Sequence, residues 1–168
     1  MSTQHRDNYP LRAIVRGLIF DVLFVGGYTL LALGLEWLFR PPKIICRPYN
    51  LLGLLALLAG ASLSFWCSYL LGAVGKGTPD IKEHTTKLVT TGPYAYTRNP
   101  KMLGVALMLL GMAILLRSLP LLFLTSLALL GGHFYLIFEE EKGLEERFGE
   151  EYLRYKEKVP RWIPRFWR

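Results

Sequence analysis

The residues with the chemistry to bind a charged ligand fall into two polar stretches, residues 72–101 and 139–168. The first stretch contains Arg98, and the second opens with three carboxylates, Glu139, Glu140 and Glu141. A guanidinium can hold a carboxylate through two parallel hydrogen bonds, and a glutamate can accept hydrogen bonds from an ammonium or from hydroxyl groups. If the two stretches meet, an arginine of the first and a carboxylate of the second can together bind a ligand that carries charges of both signs.

Each of these residues also has a structural interpretation. Arg98 can be an arginine whose stem covers apolar surface while its charge reaches the lipid interface. Glu140 and Glu141 can favour the N-terminal dipole of a helix, and this is the role that we assign to Glu139. Four aromatic residues of the tail are typical of an interfacial belt: Tyr152, Tyr155, Trp162 and Trp167.

The polar stretches are separated by long apolar blocks. The chain has 168 residues, of which 52% are hydrophobic, and a membrane span needs about 20 consecutive apolar residues. Four blocks approach that length: residues 14–39, 51–71, 102–116 and 119–138. The third is short, so we expect it to begin nearer Pro100 or to join the fourth in a tight hairpin around Arg117 and Pro120. The sequence therefore predicts an all-α integral membrane protein with about four transmembrane helices in a single domain, residues 1–168.

The charges predict how these spans are oriented. Lys and Arg accumulate on cytoplasmic flanks. Of the 20 Lys and Arg residues, all lie in the N-terminus and the two polar stretches except Arg40, Lys43, Arg47 and Arg117. We therefore expect both termini and both polar stretches to be cytoplasmic. The net charge of +7 favours anionic membrane lipid over nucleic acid as a partner, because the basic residues flank spans and form no continuous stripe.

The tail has the period of an amphipathic helix that lies on the bilayer or caps the bundle. We expect this helix to end near Pro160 and Pro164. Its apolar positions recur at steps of four, four, three and four: Leu144, Phe148, Tyr152, Tyr155 and Val159. The two cysteines, Cys46 and Cys67, form no CxxC motif and have no histidine at zinc-ligand spacing, so neither a disulfide nor a metal site is predicted. Asp21 and His133 receive no assigned role, and His84 receives one only in the alternative reaction given below.

An ordered set of motifs extends from Gly75 to Pro164. The motifs are Gly75-Lys76-Gly77-Thr78-Pro79, Leu88-Val89, Gly92-Pro93-Tyr94, Arg98-Asn99-Pro100, Glu140-Glu141-x-x-Leu144, Phe148-Gly149-x-x-Tyr152-x-x-Tyr155 and Val159-Pro160-Arg161-Trp162-Ile163-Pro164. In its order and spacing this set resembles the isoprenylcysteine carboxyl methyltransferase family, which has phospholipid N-methyltransferases among its relatives.

The resemblance implies a site for S-adenosylmethionine, with S-adenosylhomocysteine as product, where the two polar stretches converge. Arg98 and Glu140 are its expected catalytic residues. One departure is Met102, which stands where many relatives have a tyrosine and can offer only apolar contact. The expected cofactor contacts are Thr86, Lys87, Leu88, Val89, Tyr94, Arg98, Asn99, Pro100, Glu140 and Glu141.

The expected reaction is carboxyl O-methylation of an isoprenylcysteine-like or other lipophilic acceptor, a small molecule or a lipidated substrate. A carboxylate acceptor is ionised near neutral pH and needs no general base. N-methylation of a phospholipid or amine is the alternative, and there Glu141 or His84 is the first candidate to remove the proton. An NADPH-dependent membrane reductase and a non-catalytic membrane protein are further alternatives. The sequence does not identify the physiological acceptor or the oligomeric state.

Overall fold

The computed structural model of the chain describes residues 9–43, 45, 47–76 and 85–163. Gly77, Cys46, His84, Pro164 and Trp167 lie outside these residues. The described residues form helices from one end to the other, in the order α1 Tyr9–Phe39, α2 Leu52–Ala73, α3 Pro100–Leu116, α4 Leu119–Tyr135, α5 Glu141–Phe148 and α6 Glu150–Lys158. Short 3₁₀ turns precede α2 and lie within the connection to α3, and a π-helical turn, Leu136–Glu140, joins α4 to α5.

The chain is an all-α membrane protein. Within the described residues, Tyr9–Phe39, Tyr49–Ala73 and Leu119–Phe148 are long and apolar enough to cross a bilayer. Only 17%, 28% and 17% of their most apolar windows are buried inside the protein, so most of these apolar side chains need a lipid environment. Helix α3 has 17 residues and is therefore about 25 Å long, slightly shorter than the hydrocarbon core. It begins at Pro100, as the sequence predicts.

Helices α3 and α4 form the predicted tight hairpin. Arg117 ends α3 in the left-handed conformation with a φ of 60°. Ser118 then caps α4, because its side chain accepts a hydrogen bond from the backbone N–H of Leu121 at 3.2 Å. Pro120 lies in the first turn of α4, where its missing N–H has no cost. The connection between the two helices is thus reduced to a few residues.

Helices α2 and α3 pack through glycines. A Cβ atom at Gly60 would lie 2.5 Å from the carbonyl oxygen of Gly104, and one at Gly104 would lie 2.9 Å from the carbonyl oxygen of Gly60. Gly53 of α2 and Gly111 of α3 make a second close contact of the same kind, further along the two helices. Small residues at these positions let two helix backbones approach closely, which is how many membrane helices associate.

The structure of the tail differs from the predicted single amphipathic helix. The single amphipathic helix predicted from Leu144 to Val159 is two helices, α5 and α6, separated at Gly149. Gly149 has a φ of 49°, a conformation that suits glycine and interrupts the helix. The predicted apolar face still packs as one surface, because Tyr152, Tyr155 and Val159 form a buried cluster with Leu88, Leu144 and Phe148. The tail therefore caps the helical bundle.

Candidate active site

A cavity of about 940 Å³ lies where the tail, the connection before α3 and helices α1, α3 and α4 meet. Its volume is at the upper end of the range for small-molecule sites. One end is lined by charged and polar residues, including Arg98, Asn99, Glu140 and Arg147. The other end is lined by apolar side chains of the three long helices. The cavity is therefore amphiphilic.

The tail and the connection are held together by backbone contacts around Arg98. The backbone N–H of Arg98 donates to the carbonyl oxygen of Pro160 at 2.9 Å. Thr97 and Asn99 both donate from their side chains to the carbonyl oxygen of Arg161, at 2.9 and 3.3 Å. The two polar stretches thus converge, as the resemblance implies.

The side chain of Arg98 pairs with Glu141. Nη1 of Arg98 lies 3.0 Å from Oε1 of Glu141, and the exposed fractions of the two side chains are only 9% and 6%. Nη1 also donates to the hydroxyl of Tyr152 at 3.4 Å. Nε of Arg98 is buried and has no hydrogen-bond partner among the described residues. Arg98 is therefore oriented by protein groups while one of its donors is left for a ligand.

Glu141 also holds Arg161. Nε and Nη2 of Arg161 donate to the two carboxylate oxygens at 2.6 and 3.0 Å, which is the bidentate geometry of a strong arginine–carboxylate pair. The hydrogen bond to Glu141 raises the pKa of Arg161 above its ordinary value, although partial burial opposes this shift. Lys156 lies 3.7 Å from the same carboxylate. Glu141 is thus occupied by three cationic residues of the protein.

Glu140 lies on a different side of the chain from Glu141. Adjacent residues of an α-helix are separated by about 100° around its axis. Glu140 lines the cavity, whereas Glu141 is buried beside Arg98. A π-helical turn ends at Glu140, and such turns are often found at functional sites. Of the two glutamates, Glu140 is the one that a ligand in the cavity can contact.

Arg147 is a cavity residue that the sequence reasoning did not include. It lies seven residues after Glu140 in the sequence, close to two full turns of an α-helix, so the two side chains share a face. Both are exposed and both line the cavity, which places them at its mouth. The seven-residue spacing between Glu140 and Arg147 is the sequence feature that could have identified Arg147 as a cavity residue.

Two tyrosines correct the prediction of an interfacial belt. Tyr152 is 1% and Tyr155 is 8% exposed, and both line the cavity. Tyr155 donates from its hydroxyl to the carbonyl oxygen of Tyr94 at 2.7 Å. Burial raises the pKa of each phenol above its ordinary value, so both hydroxyls keep their protons at neutral pH. Trp162 donates to Nδ1 of His133 at 2.9 Å, which attaches the end of the described tail to α4.

The other predicted cofactor contacts divide into two groups. Leu88, Val89, Tyr94 and Asn99 line the cavity beside Arg98, and so does Met102. The remaining predicted contacts do not belong to the described lining. Thr86 donates from its backbone N–H to the carbonyl oxygen of Gly75 at 2.8 Å, Lys87 is exposed, and Pro100 is buried at the start of α3. Their contact with a cofactor remains a prediction.

The apolar end of the cavity is built mainly by α1, α3 and α4. Phe20, Phe24 and Tyr28 follow one another along α1, with ring centroids 5.4 and 4.7 Å apart. Leu127 of α4 also lines the cavity. Phe20 is 49% and Leu127 is 47% exposed, so this end opens onto the surface that faces lipid. An acyl or prenyl chain can enter it from the bilayer.

A polar cluster beside the cavity identifies the partners of Asp21. Its two carboxylate oxygens accept from the hydroxyl of Ser64 at 2.5 Å and from Nζ of Lys101 at 3.2 Å. Lys101 also donates to Ser64 at 2.8 Å and to Ser68 at 3.2 Å. These contacts use all three donors of an ammonium group. The cluster joins α1, α2 and α3 and leaves no donor of Lys101 free for a ligand.

Together, the helices and the amphiphilic cavity define an α-helical membrane protein that can bring a polar ligand against a lipophilic one. The chain belongs to the phospholipid methyltransferase family, whose model matches residues 49–151. It is similar to a protein-S-isoprenylcysteine O-methyltransferase of Schizosaccharomyces pombe, with 40% identity over 83 residues. That match covers 49% of this chain and 34% of the relative, so the chain spans about a third of the relative's length in the match. No solved structure matches.

Proposed function

We propose that this chain is an S-adenosylmethionine-dependent methyltransferase that methylates the carboxylate of a lipophilic, isoprenylcysteine-like acceptor. The observation that carries the proposal is the amphiphilic cavity, which places charged groups and an apolar groove in one continuous space. The family and the named relative support methyl transfer in general. The choice of a carboxylate acceptor rests on the relative's name and on the chemistry of the cavity.

The polar end has the donor set that S-adenosylmethionine needs. The group carries a carboxylate, an ammonium, a sulfonium and an adenosine. The unpartnered buried Nε of Arg98 and the carboxylate of Glu140 can hydrogen-bond to its polar atoms, and Leu88, Val89 and Tyr94 offer apolar and aromatic surface to the base. The residues present therefore fit the group.

The protein's contribution to the reaction is positional. When bound, S-adenosylmethionine supplies a methyl carbon on a sulfonium, and a neutral thioether is the leaving group. Arg98 and Glu140 would hold the polar ligand, and α1 and α4 would hold the chain of the acceptor, so that the cavity would keep the two reactants side by side. The buried residues Val105 and Leu109 line the cavity between the two ends and exclude water from the reacting groups.

N-methylation of a phospholipid amine is the second candidate function. The family model favours it, and so do the carboxylates of Glu139 and Glu140, which line the cavity and can accept the proton that an ammonium acceptor must lose. O-methylation needs no such step, since a carboxylate is already ionised. The two functions differ in the acceptor and share the donor.

The test is methyl transfer by the detergent-purified protein from S-[methyl-³H]adenosylmethionine. We expect label in the base-labile methyl ester of N-acetyl-S-farnesylcysteine and none in phosphatidylethanolamine. Label in phosphatidylethanolamine alone would establish the second candidate. Label in neither, from a folded protein that does not bind S-adenosylhomocysteine, would overturn both.

We also propose that both termini are cytoplasmic. The charged end of the cavity lies at the same end of the bundle as the Lys- and Arg-rich connection and tail, and a water-soluble cofactor is available there. A C-terminal fusion to green fluorescent protein should fluoresce in a bacterial host, and a C-terminal alkaline phosphatase fusion should be inactive. The reverse pattern would overturn the proposed orientation.

A further inference from the structure

We infer that Lys101 determines which charge the cavity accepts on the reacting group of the acceptor: its ammonium favours a carboxylate over an ammonium group. This inference rests on the proposed function, in which the donor lies at the polar end of the cavity and the acceptor's chain lies at the apolar end. Lys101 acts on the acceptor through its charge, because its hydrogen-bond donors are already committed to the protein.

Lys101 lies at the junction between the two ends of the cavity. Of the α3 residues in the described lining, Lys101 is the only one with a charge, and those that follow it along the helix are apolar. Nζ of Lys101 lies 5.9 Å from the centre of the Phe20 ring, where the aromatic face of α1 begins. An acceptor whose chain occupies the apolar end must bring its reacting group to this junction, because the donor occupies the polar end.

The ion pair of Lys101 and Asp21 has its cation toward the cavity. Lys101 belongs to the described lining, whereas Asp21 and the two serines that also bind the ammonium, Ser64 and Ser68, do not. The side chains of Lys101 and Asp21 are 16% and 9% exposed, so their charges are screened less than those of surface residues. The cavity is therefore closer to the positive member of the pair than to the negative one.

Arg98 repeats this arrangement just before the start of α3. It lines the cavity, and its partner Glu141 lies outside the described lining. The N-terminus of α3 adds the positive end of a helix dipole at the same place. The carboxylates of the described lining all belong to other elements, the π-helical turn and α5, where Arg147 also lies. The α3 side of the cavity is therefore its positive side.

The ammonium of Lys101 is fixed in position by three acceptors. Nζ donates to Asp21 at 3.2 Å, to Ser64 at 2.8 Å and to Ser68 at 3.2 Å, which uses every donor of the group. A fixed, partly buried charge acts on other charges over several ångströms. A carboxylate at the junction is therefore stabilised by Lys101 and an ammonium is destabilised, although neither forms a hydrogen bond with it.

The experiment compares a charged ligand with a neutral ligand of nearly the same shape. The detergent-purified protein is assayed with N-acetyl-S-farnesylcysteine for KM and kcat, and the carboxamide of this compound is tested as a competitive inhibitor for its Ki. Lys101→Met and Asp21→Asn both break the ion pair, but they leave opposite charges beside the junction. Lys158→Met is the matched control, because Lys158 is exposed on α6 and lies outside the described lining.

We expect the two changes to act on the carboxylate in opposite directions. Lys101→Met leaves Asp21 unbalanced and should raise KM by about 10-fold, whereas Asp21→Asn leaves Lys101 unbalanced and should lower KM by about 3-fold, as one charge acting over several ångströms would. The Ki of the carboxamide and the affinity for S-adenosylhomocysteine should keep their wild-type values in both variants. Lys158→Met should change none of these quantities.

Three results would overturn the inference while the proposed function stands. They are a change of KM in the same direction in both single variants, an equal change in KM and Ki, and a loss of S-adenosylhomocysteine affinity that parallels KM. If a single variant does not fold, the double variant Asp21→Asn/Lys101→Met should lose part of the wild-type preference for carboxylate over carboxamide, and an unchanged preference would overturn the inference. A folded wild type that transfers no methyl group to this acceptor overturns the proposed function, and the inference with it.

Discussion

Glu141 accepts hydrogen bonds from both Nε and Nη2 of Arg161, at 2.6 and 3.0 Å. The same carboxylate lies 3.0 Å from Nη1 of Arg98. One buried glutamate of α5 thereby fixes an arginine of the connection and an arginine of the tail. Its neighbour Glu140 has no such partner and lines the cavity. The two adjacent glutamates therefore lie in different environments, and we predict that Glu141 serves stability and Glu140 serves binding.

Replacement of these glutamates should separate the two roles. Glu141→Gln removes the charge that balances Arg98 and Arg161 and should lower the free energy of unfolding by about 3 kcal/mol, since breaking a buried pair leaves uncompensated charge. Glu140→Gln should weaken S-adenosylhomocysteine binding and leave stability unchanged. Thermal unfolding in detergent and titration with the ligand measure both quantities. Equal destabilisation by the two changes would contradict this division.

The sequence alone could not make this division. It predicts that Arg98 and the glutamates meet, because the motifs are ordered and the polar stretches lie on one side of the membrane. Which glutamate turns toward Arg98 depends on the rotation of the helix, and the π-helical turn Leu136–Glu140 changes that rotation without a sequence signal. The hairpin at Arg117 and Ser118 was predictable, since a short apolar block, a proline and a helix-capping serine are local features.

The sequence also could not identify contacts between residues that lie far apart in the chain. Lys101 was counted among the cytoplasmic charges, and Asp21 had no predicted partner, yet the two form an ion pair at 3.2 Å. The residues are 80 positions apart, and only the packing of α1 against α2 and α3 brings them together. The break at Gly149 was missed for a related reason, because the apolar period continues across it and only its positive φ shows the interruption.

The Asp21–Lys101 pair should show energetic coupling. Asp21→Asn leaves the ammonium of Lys101 without its countercharge and should destabilise the protein by about 3 kcal/mol. Lys101→Met should do the same to Asp21. The double variant should be more stable than the sum of the single changes predicts, with a coupling of about 1–3 kcal/mol. Thermal unfolding of the four proteins gives the cycle, and strict additivity would show that the pair contributes nothing specific.

The glycine contact between α2 and α3 should tolerate no side chain. A Cβ at Gly60 would lie 2.5 Å from one backbone atom and 2.7 Å from another, so Gly60→Ala must push the helices apart and should cost about 1–3 kcal/mol of stability. Gly26→Ala is the control, because a Cβ there meets nothing within 4 Å. This change should be neutral or slightly stabilising. Similar unfolding temperatures for the two variants would contradict the close packing.

The aromatic face of α1 should determine how tightly a long acceptor chain binds. Phe24 lies between Phe20 and Tyr28 in the lining of the apolar end, so Phe24→Ala should remove contact with the chain but leave the polar end intact. We expect KM for N-acetyl-S-farnesylcysteine to rise by about 10-fold, equivalent to the burial of part of one aromatic ring, with little change in kcat.

A shorter acceptor provides the internal comparison for this prediction. N-acetyl-S-geranylcysteine reaches less far along α1, so its KM should rise less when Phe24 is changed. Phe123→Ala is the matched control, because Phe123 is 62% exposed on α4 and does not belong to the described lining; it should affect neither acceptor. Binding of S-adenosylhomocysteine should stay at the wild-type value in both variants. A fall in kcat with unchanged KM for both chain lengths would instead place Phe24 at the reacting end of the cavity, and the acceptor chain would then have to lie elsewhere.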